Sequence, residues 1–283
     1  MTEIRISFVN TGPAVVELLR RALVNAGARE EELVESAQKG RVYLSLYLPS
    51  RARAEKLAKQ IRSLRIKHTF VSLMALKNSD WKTRWKKYFR PFTIVPGIRI
   101  VPCEAHLLQG KPSPGAIYLD TTLAFGTGQH ATTQMMAQLI ASQKNKFSSF
   151  FDVGTGSGVL SLVAACCGAK AITAIDIDKH AIKTAQNNFL LNRCPVEHAG
   201  AAGLAQFRGR GKFDFVAANL LTEDLIKLQE KLICRMRPRG WLAVSGIYYE
   251  NFPFFKKHFT DRRLRTMRVL KRKNWYALLF RKA

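Results

Sequence analysis

The residues best suited to chemistry lie in one short segment, residues 150–158, which reads FFDVGTGSG. Two aromatic residues and a valine predict the end of a buried strand, and glycines at 154, 156 and 158 allow a bend that side chains would block. A helix is expected to begin near Val159. A strand, a glycine bend and a helix in this order let a ligand approach the backbone closely at the carboxyl end of a parallel sheet.

The spacing of these glycines indicates which ligand the bend would hold. A dinucleotide fold has the pattern G-x-G-x-x-G, whereas Val159 stands where its third glycine would be. The negative charge of Asp152 is unfavourable for a pyrophosphate, which is also negative. The same charge is favourable for S-adenosylmethionine, whose sulfonium and ammonium groups are positive. The segment therefore predicts a methyl-donor site, and a glycine-rich turn of some other α/β protein is the alternative.

Two further segments end in polar side chains that the same sheet edge would bring to the donor. Residues 170–176, KAITAID, predict a second strand, and Asp176 lies about 20 residues beyond the bend, where it would bind the ribose hydroxyls of adenosine. Asp178, two residues later, is expected to cap a helix instead. Residues 213–219, FDFVAAN, predict another strand that delivers the amide of Asn219 to this edge, although Asn219 could also serve only as a strand terminator.

A loop at residues 117–133, IYLDTTLAFGTGQHATT, carries further candidate ligand groups. Gly126 and Gly128 allow a sharp path through it. Thr132 and Thr133 stand at the start of a predicted helix, where their hydroxyls could cap the helix or face a ligand. His130 is a candidate general base, but a single loop histidine more often orients a neighbouring backbone. The sequence therefore predicts no dedicated catalytic base.

The composition of the chain excludes several classes of protein. Its 283 residues leave room for one large domain and a small one, and 47% hydrophobic residues suffice for a packed core. The amino terminus lacks a basic-then-apolar signal pattern and no apolar run reaches about 18 residues, so a cytoplasmic location without membrane contact is expected. Five cysteines without C-x-x-C spacing predict neither disulfides nor a metal site.

The net charge of the chain is strongly positive. Lys and Arg number 46 against 20 Asp and Glu, which gives +26 and a pI near 10.3 and predicts affinity for polyanions. Residues 77–90 hold six basic residues and one acidic residue, and residues 256–282 hold eleven basic residues and one acidic residue. This excess of basic residues has two alternative explanations: contact with RNA, or a generally basic composition of the proteins that the genome encodes.

The predicted elements form two folded units joined by a linker. Residues 1–75 show a βαββαβ pattern, which matches a ferredoxin-like sandwich; this unit is interpreted as a substrate-recognition module, with a structural appendage as the alternative. Residues 76–95 form the linker, and its DWKTRWKKYFRP segment would pack on a neighbour or stack on RNA bases. Residues 96–283 alternate strands and helices, with a turn expected at 238–240, and end in a hairpin, the order of a seven-stranded methyltransferase sheet.

The segments LAFGTGQHATT, DVGTGSG, AIDID, AANLL and VSGI follow one another in an order that resembles the PrmA family, the methyltransferases of ribosomal protein L11. The resemblance covers nearly the full length. It implies an α/β class I methyltransferase domain, with a Rossmann-like seven-stranded sheet, behind a small ferredoxin-like domain for substrate recognition. The family's donor contacts fall on Thr133, Gly154, Asp176 and Asn219. The resemblance also implies transfer of several methyl groups from S-adenosylmethionine to the α-amine and lysine ε-amines of one ribosomal protein.

Other functions stay open at this point. The chain could be a relative that acts on another protein's lysines or on RNA, or a non-catalytic module for RNA binding or ribosome assembly. The positive charge favours contact with rRNA or a ribosomal particle, because a basic enzyme would repel a free basic ribosomal protein. A methyltransferase of this kind must accept a lysine amine that has lost its proton. Deprotonation of the amine at neutral pH costs about 4–5 kcal/mol. Phe125 and Leu220 are candidates for an apolar wall that lowers the amine pKa.

Overall fold

The computed structural model of the protein describes residues 2–9, 13–26, 28, 33–38, 41–48, 50–66, 69–75, 91–103, 113–120, 128–209 and 211–283. The chain divides into two compact units, Met1–Phe89 and Arg90–Ala283. Most of the predicted linker, residues 76–90, lies outside the described residues, as do Phe125 and Gly126. The boundaries drawn from the sequence at residues 75 and 95 therefore stay predictions.

The first unit is an antiparallel sheet of four strands with two helices. Its elements are β1 (Thr2–Val9), α1 (Pro13–Asn25), β2 (Leu33–Gln38), β3 (Arg41–Leu48), α2 (Arg51–Ser63) and β4 (Thr69–Ala75), the βαββαβ order that the sequence predicts. The strands lie in the order β2-β3-β1-β4. Its core contains buried leucines from both helices and from β3, among them Leu19, Leu23, Leu44 and Leu57. The ferredoxin-like class and the substrate-recognition role of this unit stay predictions.

The second unit alternates strands and helices. Its strands are β5 (Phe92–Val95), β6 (Ile98–Cys103), β7 (Ala116–Asp120), β8 (Ser149–Val153), β9 (Ala171–Asp176), β10 (Val196–Ala201), β11 (Phe213–Asn219), β12 (Met236–Tyr248), β13 (Leu264–Arg272) and β14 (Trp275–Lys282). Its helices are α3 (Ala131–Ala141), α4 (Val159–Cys166), α5 (Lys179–Leu191), α6 (Thr222–Cys234) and α7 (Phe252–His258). None of the helices in the described parts of the chain is long and apolar enough to cross a membrane.

Seven of these strands form one sheet in the order β10-β9-β8-β11-β12-β14-β13. The first five in this order are parallel, whereas β14 pairs antiparallel with both β12 and β13. The predicted seven-stranded α/β sheet with a closing hairpin is therefore confirmed. Because the strand order reverses beside β8, a ligand crevice is expected outside the carboxyl ends of β8 and its neighbours.

The central strands are buried on both faces, which explains their continuous apolar sequences. Phe150 and Phe215 belong to the apolar cluster on one face of the sheet, and Phe151 and Val216 belong to the cluster on the other. Successive side chains of a strand point to opposite faces, so one strand contributes to both clusters. This rigid core holds the carboxyl ends of the strands in place.

A smaller sheet of three strands, β5-β6-β7, belongs to the same unit. β5 and β6 pair antiparallel, and Gly97 in the turn between them has a φ of +80°. The Pro96-Gly97 sequence thus forms the turn of a hairpin, because proline presets its own backbone φ angle and glycine accepts the left-handed conformation. β7 pairs parallel with β6, and the loop that carries the HATT segment follows it in the chain.

Two local predictions are wrong and one strand was missed. Residues 117–120, read from the sequence as part of a loop, belong to β7. The turn expected at residues 238–240 lies inside β12, where the pairing with β11 shifts between Phe213 and Phe215. The Pro-Arg-Gly signal there marks an irregular start of a strand. Sequence reasoning also missed β10, whose sequence VEHAGA has no apolar run. As the edge strand of the sheet, β10 is only partly buried, so its composition carries little strand signal.

Candidate functional site

The glycine bend between β8 and α4 is the centre of the candidate site. Gly154, Gly156 and Gly158 have φ values of +75°, +55° and +82°, in the left-handed region that favours glycine. The backbone N–H groups of Gly154 and Thr155 both donate to the carbonyl oxygen of Ile175, at 2.9 and 3.0 Å. Apart from Gly156 itself and its two chain neighbours, no described residue has an atom within 4 Å of the position that a Cβ on Gly156 would take. The bend is thus fixed to β9 and has open space before it.

Asp176 ends β9 and holds two backbone amides. Its Oδ2 accepts a hydrogen bond from the N–H of Gly156 at 2.9 Å, and its Oδ1 accepts one from the N–H of Asp178 at 2.9 Å. Each carboxylate oxygen has a second lone pair, and the side chain is only half-buried, so Asp176 can accept further hydrogen bonds. Asp178 accepts from the N–H of His180 at 2.8 Å and caps α5, which confirms the predicted cap.

Asp152 is a fully buried carboxylate behind the bend. Its Oδ2 accepts hydrogen bonds from the hydroxyls of Thr155 at 2.9 Å and Ser161 at 2.7 Å. Its Oδ1 has no partner among the described residues. Burial raises the pKa of Asp152 from 3.8 to about 6, against the opposing effect of the two hydroxyls. When ionised, this group gives the bend a negative field that favours a positive ligand.

The raised pKa of Asp152 predicts a pH-dependent stability. Folding favours the protonated form, so this stabilisation is complete below about pH 4 and is lost as the pH rises through about 6. A shift of about two units corresponds to about 3 kcal/mol. Asp152→Asn cannot ionise, so its free energy of unfolding in urea should fall less between pH 4 and pH 7 than that of the wild type. Equal changes in the two proteins would contradict the raised pKa.

Asn219 ends β11 and connects to the first turn of α3. Its Nδ2 donates to Thr132 Oγ1 at 3.3 Å, and that oxygen lies 2.8 Å from His130 Nδ1. The N-cap residue of α3 is His130, so Thr132 lies inside the helix. Of the two roles left open for the threonine hydroxyls, capping is not the one that Thr132 takes, because its hydroxyl joins Asn219 to His130. Thr133 follows in the same turn and is buried.

Leu220 packs against two glycine-containing segments. A Cβ on Gly154 would lie 2.5 Å from Leu220 Cδ2, and a Cβ on Gly246 would lie 2.0 Å from the carbonyl oxygen of Leu220. The N–H of Leu220 also donates to the carbonyl oxygen of Ser245 at 3.1 Å. The two glycines therefore let Leu220 pack closely on both sides, and this packing holds the end of β11, including Asn219, beside the bend.

Two asparagines of α5 support the site, and sequence reasoning missed both. Asn188 is fully buried; its Oδ1 accepts from the N–H of Asp120 and its Nδ2 donates to the carbonyl oxygen of Ser157, at 2.8 and 2.9 Å. Asn192 accepts from the N–H of Tyr118 at 2.8 Å and donates to the carbonyl oxygen of the same residue. The available signal in the sequence was their spacing of four residues, which places both side chains on one face of α5. Both hold β7 against α5, and Asn188 also ties it to the glycine bend at Ser157.

The structure places the predicted site residues at one edge of the sheet. Gly154, Asp176 and Asn219 follow or end the neighbouring strands β8, β9 and β11, and Thr133 lies next to the threonine that binds Asn219. Their roles as donor contacts stay predictions. In the described parts of the chain, no group of three or more His, Cys, Asp or Glu could hold a metal ion.

Comparison with known proteins gives consistent results. A family model described as "Ribosomal protein L11 methyltransferase (PrmA)" matches residues 6–283. The ribosomal protein L11 methyltransferase of Citrifermentans bemidjiense is 37% identical over 214 residues, which cover 73% of this chain and 68% of that protein. The one from Geotalea uraniireducens is 36% identical over 228 residues, 76% of this chain and 71% of that protein. The crystal structure of a ribosomal protein L11 methylase from Lactobacillus delbrueckii subsp. bulgaricus has a TM-score of 0.59 at 29% identity, over 69% of this chain and 100% of that chain.

Proposed function

The chain belongs to the ribosomal protein L11 methyltransferase family, and we propose that it transfers methyl groups from S-adenosylmethionine to amines of ribosomal protein L11. The observation that carries this proposal is the sheet edge at which Gly154, Asp176 and Asn219 meet, in a chain that the family model matches over nearly its whole length. Both the α-amine and lysine ε-amines are proposed acceptors, since each presents the same nucleophilic nitrogen after it loses a proton.

The chemistry of this edge fits S-adenosylmethionine, which supplies an electrophilic methyl group on a positive sulfur. The open space before Gly156 admits a ligand close to the backbone, and Asp176 has lone pairs for two ribose hydroxyls. The apolar side chain of Ile177 is 84% exposed beside this carboxylate, and an adenine ring would cover it. Gly154, Asp176 and Asn219, with Thr133 in α3, are the proposed donor contacts.

The acceptor amine would be oriented by Asn219. Because Nδ2 of Asn219 is engaged by Thr132, its Oδ1 can accept an N–H of the amine. Leu220 provides the apolar wall beside the bend and favours the neutral amine by desolvation; the other candidate for this wall, Phe125, lies outside the described residues. We assign no catalytic base, and in this proposal water takes the proton before the attack.

A contact with rRNA is a second part of the proposal. The edge strand β13 carries four exposed cations, Arg265, Arg268, Lys271 and Arg272. Such a row would bind phosphates and bring a basic enzyme to a basic ribosomal protein on an assembling particle. Cationic side chains also protect edge strands from aggregation, so the charge is compatible with a purely structural role.

The proposed substrate also implies a location. An enzyme that acts on a ribosomal protein would work in the cytoplasm, where ribosomes assemble.

The proposal is tested by transfer of a labelled methyl group to separated ribosomal proteins and to rRNA. We expect the label in L11, and the intact mass of L11 should rise in steps of one methyl group. Label only in RNA, or only in other proteins, would reject the proposed substrate. A calorimetric titration with S-adenosylmethionine distinguishes a methyltransferase from a non-catalytic module. The methyltransferase would bind the donor, whereas the non-catalytic module would show no binding heat at millimolar donor. Reactions without enzyme supply the baseline.

A further inference from the structure

The carboxyl edge of the large sheet has two halves, which meet at Asn219. On one side lie Gly154 and Asp176, the proposed donor contacts. On the other side β12 ends and β14 begins, because β14 runs antiparallel to β12, and Tyr248 there pairs with Trp275. The proposed donor contacts lie in the first half of the edge. The second half has no role assigned to it and begins on the other side of Asn219, the proposed acceptor contact.

Four rings occupy this second half: His130, Tyr248, Tyr249 and Trp275, here called the aromatic cluster. The ring of Trp275 lies 5.2 Å from those of His130 and Tyr248, at interplanar angles of 73° and 72°. The rings of Tyr248 and Tyr249 lie 4.9 Å apart at 56°. Rings at such steep angles present π faces in several directions.

The aromatic cluster is fixed to the sheet and to the site by hydrogen bonds. Asn274 Nδ2 donates to the hydroxyl of Tyr248 at 3.1 Å, and the N–H of Tyr249 donates to the carbonyl oxygen of Asn274 at 2.8 Å. Thr132 joins His130 to Asn219. The cluster is therefore held in position and begins two hydrogen bonds away from the residue that orients the acceptor.

The exposure and charge of the aromatic cluster indicate what it binds. His130 and Tyr249 are exposed, and Tyr248 and Trp275 are only partly buried, whereas the core aromatics Phe150, Phe151 and Phe215 are completely buried. The hydroxyl of Tyr249 donates to Glu250 Oε1 at 3.0 Å, which places a carboxylate at the rim of the cluster in a chain of net charge +26. Exposed ring faces beside a carboxylate suit an organic cation. Arg272, which is exposed and pairs with Trp275 across β13 and β14, is the nearest described cation of the neighbouring strand, so selectivity for a cationic ligand depends on the ring faces and Glu250 and not on the net charge around them.

We propose that the aromatic cluster and Glu250 form the acceptor subsite. The subsite receives the amine of the substrate as an alkylammonium before water removes its proton, and it holds the nitrogen again once the transferred methyl group makes it positive. This inference rests on the proposed methyl transfer to an amine. In that step the nitrogen lone pair forms the N–C bond, the S–C bond leaves its electron pair on sulfur, and the positive charge moves from sulfur to nitrogen. The π faces and the carboxylate stabilise the charge that develops on nitrogen. A methylated ammonium keeps its charge and gains apolar surface, so the subsite also holds methylated forms.

The first test measures the subsite alone, with choline as the cationic probe and 3,3-dimethylbutan-1-ol as its neutral isostere. The indole N–H signal of Trp275 is identified in NMR spectra by its absence from Trp275→Phe. We expect choline to shift this signal in a saturable way and the neutral isostere to leave it in place. Equal shifts with both probes, or none with choline, would overturn the proposal. Because neither donor nor L11 is present, this result is independent of the proposed function.

The second test measures methylation of L11 at saturating donor. Trp275→Leu removes the π face and should raise KM for L11 by about threefold to thirtyfold, while Trp275→Phe keeps a ring and should stay near the wild type. Donor affinity by calorimetry should be unchanged in both variants. Phe254→Leu is the matched control, since Phe254 is 49% exposed on α7 and lies outside the cluster.

Thermal melts identify variants that fail to fold. If Trp275→Leu is one of them, Tyr249→Leu replaces it, because the side chain of Tyr249 is 45% exposed. A KM for L11 that is unchanged in the folded leucine variant would count against the subsite while leaving the methyltransferase function intact. A wild-type enzyme that binds choline as expected and does not methylate L11 would instead support the subsite and reject L11 as the substrate.

Discussion

Asp176→Asn is expected to weaken S-adenosylmethionine binding by about two orders of magnitude. Both carboxylate oxygens already hold a backbone N–H, from Gly156 and from Asp178, and asparagine has only one acceptor oxygen. The variant therefore loses the charge that would bind the ribose hydroxyls and one of the two backbone hydrogen bonds that Asp176 accepts, from Gly156 in the bend and from Asp178. A hydrogen bond to a charged group contributes about 1.5–3 kcal/mol, and two such bonds account for the expected loss. Calorimetric titration with the donor measures it.

Asp178→Asn is the matched control for this prediction. The two carboxylates lie two residues apart, but Asp178 caps α5 through the N–H of His180, and asparagine caps helices about as well as aspartate. We expect the donor affinity of this variant to stay within about twofold of the wild type. An Asp176→Asn protein with full affinity would contradict the ribose contact. Equal weakening in both variants would indicate a general charge effect.

The sequence was sufficient to predict the class of the large sheet and the position of Gly154, Asp176 and Asn219 at its carboxyl edge, although it did not reveal β10. Strands buried on both faces have continuous apolar sequences such as FFDV and FVAA, which are readable without a structure. Gly154, Asp176 and Asn219 each stand at or just after the end of such a strand. Because parallel strands place their carboxyl ends at one edge, locating the strands was enough to bring these residues together.

The rest of the site depends on contacts between residues far apart in the chain. Asn188 and Asn192 bind the backbone of β7 across 68 and 74 residues, and Asn219 binds Thr132 across 87. A single asparagine on a helix carries no sign of such a partner. The aromatic cluster was equally hidden, since Trp275 reads from the sequence as an ordinary strand residue. Its proximity to His130 follows only from the position of β14 in the sheet.

The electrostatics of the site differ from those of the whole chain. The chain carries a net charge of +26, yet the carboxylates of Asp152 and Asp176 flank the bend. Burial is the main cause of the raised pKa of Asp152, and the charge of Asp176 adds a smaller contribution in the same direction. Repulsion between two carboxylates destabilises the ionised pair in the absence of a cation. A ligand with a positive sulfur and an ammonium group relieves this repulsion, so the negative pocket in a basic protein favours a cationic donor over an anionic nucleotide.

Gly246→Ala and Gly156→Ala are expected to fail in different ways. A Cβ on Gly246 would lie 2.0 Å from the carbonyl oxygen and 2.7 Å from the carbonyl carbon of Leu220, at a φ of +93°. Backbone atoms cannot rotate away as a side chain can, so we expect a loss of about 2–4 kcal/mol in the free energy of unfolding from overpacking and backbone strain. Urea denaturation measures this loss, and wild-type stability would show that the end of β11 can move.

Gly156→Ala tests the ligand space, because a Cβ there meets no described residue within 4 Å apart from its two chain neighbours, at a φ of +55°. Left-handed strain should lower the free energy of unfolding by only about 1–2 kcal/mol. The added methyl group would occupy the space that the donor needs, so affinity for S-adenosylmethionine should fall more than about tenfold, a loss above 1.4 kcal/mol. Full donor affinity in a folded Gly156→Ala protein would mean that the donor does not approach the bend. The two alanine variants thus separate what the glycines do for the fold from what they do for the ligand.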